Sequence, residues 1–243
     1  MSNVSEQVMK ESSSREHSLA PTLLLSMPQL LDPNFQRSVI LLCEHGAEGA
    51  FGLVLNRPTE TPAADVVGLN PKPSEHSALR LWIGGPIEPQ RGWILLGEGL
   101  GASEAVRVCS GVYLSASVDL LRRLLEAEAD TPTRLLTGYA GWGPGQLEAE
   151  LAASSWLTVD VDPDLVFSSD PHQMWEHALH GLGADPLALQ MGHGVHRKCP
   201  HAFQNSLRQT ITDRACQVNP PQYRPSPRWL RHFALLQSDR FCP

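Results

Sequence analysis

The chain has 243 residues, of which 42% are hydrophobic and 19% charged, and it carries a formal charge of −7. That apolar share sustains a buried core and excludes a wholly disordered, collagen-like or coiled-coil chain. No apolar run approaches the ~18 residues of a spanning helix, and the polar opening segment lacks a basic leader, so a cytoplasmic protein without membrane contact is expected.

In chain order, Met1 to Ser18 is Ser/Glu-rich and aperiodic, which predicts a disordered arm over residues 1–18. Thr22 to Leu25, Ser38 to His45 and Ala50 to Asn56 are apolar or β-branched runs that predict strands. The last two are joined by Gly46-Ala47-Glu48-Gly49, a hairpin signal. Thr61-Pro62 signals a helix start, and Arg80 to Ile83, Gly92 to Leu96 and Val106 to Leu114 predict further strands. Ser115 or Ser117 caps a helix over Val118 to Glu126. The strand Arg134 to Tyr139 leads through a glycine-rich turn into a helix over Gln146 to Leu151. Asp170-Pro171 opens a last helix, His172 to Leu182, whose Trp175, Ala178, Leu179 and Leu182 form one apolar stripe. Strands do not alternate strictly with helices and many connections are hairpin-short, which predicts an α+β fold over residues 19–194.

Residues 195–243 read as a basic, Pro-containing extension, with one short helix over 227–237 opened by Ser226-Pro227. From Arg197 onward eight basic residues face Asp213 and Asp239, a balance of +6 that leaves −13 for residues 1–196. A core of that charge repels phosphate, so direct DNA binding by the core is disfavoured and only the tail offers a non-specific nucleic-acid contact. Five cysteines form no paired framework, so free thiols are expected, Cys43 being a buried inert one within its strand. His193, His196, Cys199 and His201, with His177 and His180 on one helix face, are donors at short spacing. They match no zinc module, and neither a metal nor a cofactor is expected.

Two constellations carry candidate chemistry. Gly138-Tyr139-Ala140-Gly141-Trp142-Gly143-Pro144-Gly145-Gln146 follows a strand and opens a helix, where free amides attract anions; its alternative is a tight turn with Trp142 plugging the core. It carries neither the Lys-Ser/Thr of a P-loop nor a dinucleotide fingerprint. Glu44-His45 ends one hairpin strand and Asn56-Arg57 ends its partner, so the four are expected to converge on one sheet end, either to bind a polar ligand or as a structural Glu44–Arg57 pair. The expected ligand site therefore comprises Glu44, His45, Asn56 and Arg57, closed by Gly84-Gly85 and by Gly141, Trp142, Gly143, Gly145 and Gln146. Arg57 would hold an anionic group, the loop amides would donate and Trp142 would be an apolar wall. No Gly-x-Ser-x-Gly elbow supports serine hydrolysis.

Several motifs in a fixed order resemble the YqgE/AlgH family of bacterial proteins. They are Leu23-Leu24-Leu25-Ser26-Met27-Pro28, Asp32-Pro33-Asn34-Phe35-Gln36-Arg37-Ser38-Val39, Glu44-His45 and the run Gly49 to Pro58. Gly84-Gly85-Pro86-Ile87, the Gly138 to Leu147 segment, Trp156-Leu157 and Trp175 to Leu182 complete the set. The resemblance spans about Leu19 to Gly194 and implies a single α+β domain with a strongly bent, partly barrel-like mixed sheet flanked by helices. Members are often described as transcriptional regulators. The expectation is thus a non-enzymatic cytoplasmic regulatory protein acting through a small anionic ligand or a protein partner. The rival is a hydrolase of a small anionic substrate, with His45 as base and Glu44 orienting it.

Overall fold

Period-two alternation of apolar side chains builds a sheet that is buried on both faces. The computed structural model describes residues 18–66, 79–99, 104–126, 131–184 and 189. All but the last residue of the expected N-terminal arm, the whole 195–243 extension with its 227–237 helix, and His193, His196, Cys199 and His201 lie outside the described residues.

The strands are β1 (Thr22–Ser26), β2 (Val39–Gly46), β3 (Gly49–Val54), β4 (Pro58–Pro62), β5 (Arg80–Ile83), β6 (Ile87–Leu96), β7 (Val106–Cys109), β8 (Val112–Ser115), β9 (Thr133–Trp142) and β10 (Trp156–Val159). The helices are α1 (Ala63–Val66), α2 (Val118–Glu126), α3 (Gln146–Ala152), α4 (Pro163–Phe167) and α5 (Met174–Gly181). The sheet order is β10-β1-β2-β3-β9-β6-β8-β7, with β4 paired to β5 off this path. All pairings are antiparallel except β5 on β9, and the sheet curls into a half-barrel, so the α+β single domain stands.

Along β9 the N-terminal half pairs with β5 (Leu81↔Leu135 to Ile83↔Thr137) and the C-terminal half with β3 (Ala50↔Trp142 to Gly52↔Ala140). Two strands thus share one edge of β9, and the Gly84 backbone splices them. The Gly84 amide donates to the Thr137 carbonyl at 2.7 Å, and its own carbonyl accepts from the Val54 amide at 2.8 Å. Only glycine fits at Gly85, where φ is 154° and an added Cβ would lie 2.2 Å from the Tyr139 carbonyl carbon.

Leu23, Leu25, Val39, Leu41, Phe51, Leu53, Trp93, Leu95, Leu136 and Tyr139 fill the inner face with Val166 of α4 and Met174 and Trp175 of α5. The intervening residues face outward in two groups. Leu24, Ile40, Leu42, Ala50 and Ala140 lie with Trp142, Trp156 and Leu147 of α3. Ile94, Leu96 and Leu135 lie under Leu120, Leu121, Leu124 and Leu125 of α2. Each fully buried leucine contributes about 1.5–3 kcal/mol by leaving water. The Ser117 hydroxyl caps α2 by accepting from the Leu120 amide at 3.2 Å.

Three elements depart from expectation. The Val106 to Leu114 run is two strands, β7 and β8, separated at Ser110 and Gly111, whose φ of 72° turns the chain back. Edge strand β4 forms although it begins and ends with proline, because an edge tolerates a missing donor. Helix α4 is capped by the Asp162 carboxylate on the Asp164 amide, with Pro163 inside its first turn.

Candidate functional site

The expected convergence of Glu44-His45 with Asn56-Arg57 does not occur. In an antiparallel hairpin the end of one strand lies beside the beginning of the other, and here Glu44 pairs with Phe51 and His45 with Ala50 next to the Ala47-Glu48 turn. Asn56 lies six residues beyond Ala50, roughly 20 Å along an extended chain. The candidate residues therefore divide into a hairpin-tip group, a splice and a strand-exit group, and the alternative Glu44–Arg57 ion pair is ruled out by the same separation.

At the hairpin tip the structure does bring His45 to the glycine-rich turn, because β3 is the neighbour of β9. Directly paired residues share a sheet face, so His45 projects outward with Ala50 and Glu44 inward with Phe51. Glu44 cannot orient His45. That position is taken by Glu148 of α3, whose Oε1 lies 3.1 Å from His45 Nε2. His45 Nδ1 accepts the Leu19 amide at 3.1 Å, which leaves the ring proton on Nε2, facing the carboxylate. The Ser18 hydroxyl donates to the His45 carbonyl at 3.1 Å. The imidazole is a clasp between the chain entry, the hairpin and α3.

The turn closes on itself. Gly145 enters α3 with φ 72°. The Gly143 amide donates to the Gln146 side-chain carbonyl at 3.0 Å, and the Gln146 amide nitrogen Nε2 donates to Glu150 at 2.9 Å. The other Glu150 oxygen accepts both indoles, Trp142 at 2.9 Å and Trp156 at 2.7 Å. Trp142 is buried with its ring edge-on to Trp156, centroids 5.9 Å apart, so it packs the core rather than walling a ligand. The Gly143 amide offered to an anion is held by Gln146, and Gly141 lies half-buried against Ile87 and Tyr139. Gly84 and Gly85 are committed to the backbone splice.

At the strand exit Asn56 is buried and clamps the start of β2. Its Oδ1 accepts the Val39 amide at 3.0 Å and its Nδ2 donates to the Arg37 carbonyl at 2.8 Å. Arg37 is held at φ 50°, a left-handed conformation costly for a side chain with a Cβ. The Arg57 guanidinium donates to the neighbouring Gln36 carbonyl, and partial burial pushes its pKa down. Among the described residues Arg57 forms no ion pair. The Arg37 guanidinium lies 5.4 Å over the Trp175 ring and 4.0 Å from Glu176. Below them Arg134, 4% exposed, donates to the Leu55 carbonyl at 2.5 Å and stacks 4.1 Å over Trp82, and burial lowers its pKa to about 10.

Sequence reasoning missed Arg37, Arg134, Glu148 and Glu150. Only the Gln146–Glu150 pair was readable, as an i,i+4 contact on a helix. A separate cleft of about 590 Å³, lined in part by Glu98, Cys109, Val161, Asp164 and Phe167, holds none of the expected site residues. Cys43 packs against the inner core and burial pushes its thiol pKa up, in keeping with an inert thiol.

A curled half-barrel, its two faces occupied by helices and its polar clusters tied into backbone clamps, defines a small α+β domain. The family described as AlgH-like matches residues 23–187, and the chain belongs to it. A UPF0301 protein of Myxococcus xanthus is 42% identical over 182 residues, covering 73% of this chain and 98% of that one. A UPF0301 protein of Ruegeria pomeroyi is 39% identical over 180 residues, covering 72% and 98%. The solution structure of the AlgH protein from Pseudomonas aeruginosa superposes with a TM-score of 0.60 at 33% identity, covering 76% of this chain and 97% of its own. A Corynebacterium diphtheriae protein, at TM-score 0.51 and 21% identity, shares the fold. Among the described residues no helix is long and apolar enough to cross a membrane.

Proposed function

We propose that the domain is a cytoplasmic, non-enzymatic regulatory protein that acts by binding an anionic ligand or a protein partner. The observation that supports this reading over hydrolysis is the engagement of both His45 ring nitrogens. Nδ1 holds the Leu19 amide and Nε2 faces Glu148, so no lone pair is left to accept a proton from water. Glu44, the expected orienting group, sits on the opposite sheet face. The regulatory role is carried over from the family resemblance, and the −13 balance of residues 1–196 favours a partner other than DNA for the domain.

The test pairs turnover with binding on the full chain. Parent and His45→Ala are assayed on carboxylate and phosphate esters, and the parent's melting temperature is followed across a set of anionic metabolites. A ligand present at 100 times its Kd stabilises the fold by about 2.7 kcal/mol, which a melt resolves. The expected result is no ester turnover by either protein, a modest loss of stability in His45→Ala, and a melting shift for at least one anion. Turnover by the parent that His45→Ala abolishes would return the domain to the hydrolases.

A further inference from the structure

We propose that the sheet end bearing Arg37 and Arg57 is a docking surface for an acidic segment of a partner protein, with a carboxylate seated between the two guanidiniums and an apolar side chain covering Leu31. The inference rests on the reading of the domain as a binding protein and gives that reading a place and a ligand chemistry.

Among the described residues Arg57 carries no compensating charge, Arg37 is balanced only loosely by Glu176, and both guanidiniums are held in place. Arg57 is half-buried, anchored through one nitrogen to the Gln36 carbonyl, and forms no ion pair among the described residues. Burial disfavours its charged form, a cost that an arriving carboxylate would offset. Arg37 follows Gln36 directly, so the Arg57 guanidinium lies against the backbone from which the Arg37 side chain leaves. Its acidic neighbour Glu176 is 4.0 Å away with both side chains about half exposed, too long for a charge-assisted hydrogen bond. A third guanidinium, Arg134, lies behind the strand exit on Leu55, and its pKa is lowered by burial alone.

The backbone beneath is fixed at a cost. Asn56 holds the Arg37 carbonyl, and Arg37 keeps a left-handed φ of 50° that few side chains adopt. On the same β1–β2 connection Leu30 and Phe35 turn down into the outer core, whereas Leu31 stands 80% exposed. An exposed leucine on the connection that also carries Arg37 complements a peptide that alternates apolar and acidic side chains. An arginine fork recognises a planar carboxylate through two parallel hydrogen bonds, which a point charge cannot reproduce. The acidic remainder of residues 1–196 repels anions at longer range, so binding has to come from contact at this end.

The test uses the full chain and a fluorescein-labelled twelve-residue peptide alternating Glu and Leu, with anisotropy as readout. The same peptide with Gln for Glu is the charge control, and inorganic phosphate is the competitor. Expected results are binding of the Glu peptide, at least tenfold weaker binding of the Gln peptide, and a loss of tenfold or more in Arg57→Gln. Arg57→Lys should recover part of that loss, and Leu31→Ser should weaken binding several-fold. Leu31→Ser changes only an exposed side chain, so it reports even if an Arg57 variant fails to fold. Equal binding of the two peptides, or binding indifferent to both Arg57→Gln and Leu31→Ser, would overturn the proposal. So would full displacement by phosphate combined with indifference to Leu31→Ser, which describes a site for free oxyanions. An anionic metabolite that raises the melting temperature without any dependence on Arg57 would sink this surface and leave the binding-protein reading standing.

Discussion

Replacing Gly85 by alanine should be far more damaging than a missing methyl group suggests. The new Cβ would lie 2.2 Å from the Tyr139 carbonyl carbon, 2.3 Å from its oxygen and 2.5 Å from the Ala140 nitrogen. All three are backbone atoms of the central strand β9, so no side chain can rotate away. The two backbones would have to part by about 1 Å to reach ordinary contact. That movement pulls on the Gly84–Thr137 and Val54–Gly84 hydrogen bonds at 2.7 and 2.8 Å. Overpacking costs about 1–3 kcal/mol, and a strained φ together with a weakened hydrogen bond adds about 1 kcal/mol each, for a total of about 3–5 kcal/mol. For a domain of this size each kcal/mol moves the melting temperature by roughly 2–4 °C, so a fall of roughly 6–20 °C is expected in a thermal melt followed by circular dichroism. Gly145→Ala is the control, since its φ is also positive, 72°, but nothing lies within 4 Å of the added atom. It should cost only about 1–2 kcal/mol. Equal shifts in the two variants would refute the reasoning, because crowding at the splice is the only difference between them that it invokes.

Glu150→Gln leaves a side chain that cannot accept from Trp142, Trp156 and Gln146 together, so one donor loses its partner at a cost of about 2–3 kcal/mol. The melt should fall accordingly and indole fluorescence should change, and a variant with parental emission and stability would show that the carboxylate is dispensable. Cys43 predicts a pH effect. Its folded pKa is raised, by burial first, above the ordinary 9.0, so above pH 9 the unfolded chain sheds a proton that the folded chain keeps. Stability should therefore be unaffected by this group below pH 9 and fall above it by up to about 1.4 kcal/mol per pH unit. Urea unfolding of parent and Cys43→Ala at pH 8 and pH 10 checks the sign, the expected result being a smaller alkaline loss in the variant. In native protein Cys43 should resist thiol reagents and become reactive on denaturation.

How much was legible depended on whether a signal was local. β1, β2, β3, β5, α2 and α5 announce themselves in runs whose periodicity matches a single element, and the Gly46 to Gly49 turn names its own hairpin. Helix α4 carried the same Asp-Pro opening that located α5, in Asp162-Pro163, but its five residues give too little periodicity to notice. The error about the site was one of direction. Glu44-His45 and Asn56-Arg57 both end strands, yet antiparallel pairing sets two such ends at opposite limits of the ribbon. The true partners of the candidate residues come from far along the chain. Glu148 lies 103 residues from His45, and Arg134 lies 79 from Leu55. Whether a glycine-rich turn is open or shut depended on one side chain, Gln146, whose reach back to Gly143 no spacing rule distinguishes from a residue pointing into solvent.

The sheet is clad on both sides, by α4 and α5 within and by α2 and α3 without. Broad flat contact with either sheet face is therefore closed to a partner, and the binding proposed above would fall at the rims. Those rims include the connections 27–38 and 56–58, where an exposed side chain such as Leu31 can change character while Leu30, Phe35 and Asn56 keep the strands beneath in register. A lineage could retarget this domain repeatedly without ever reopening its interior.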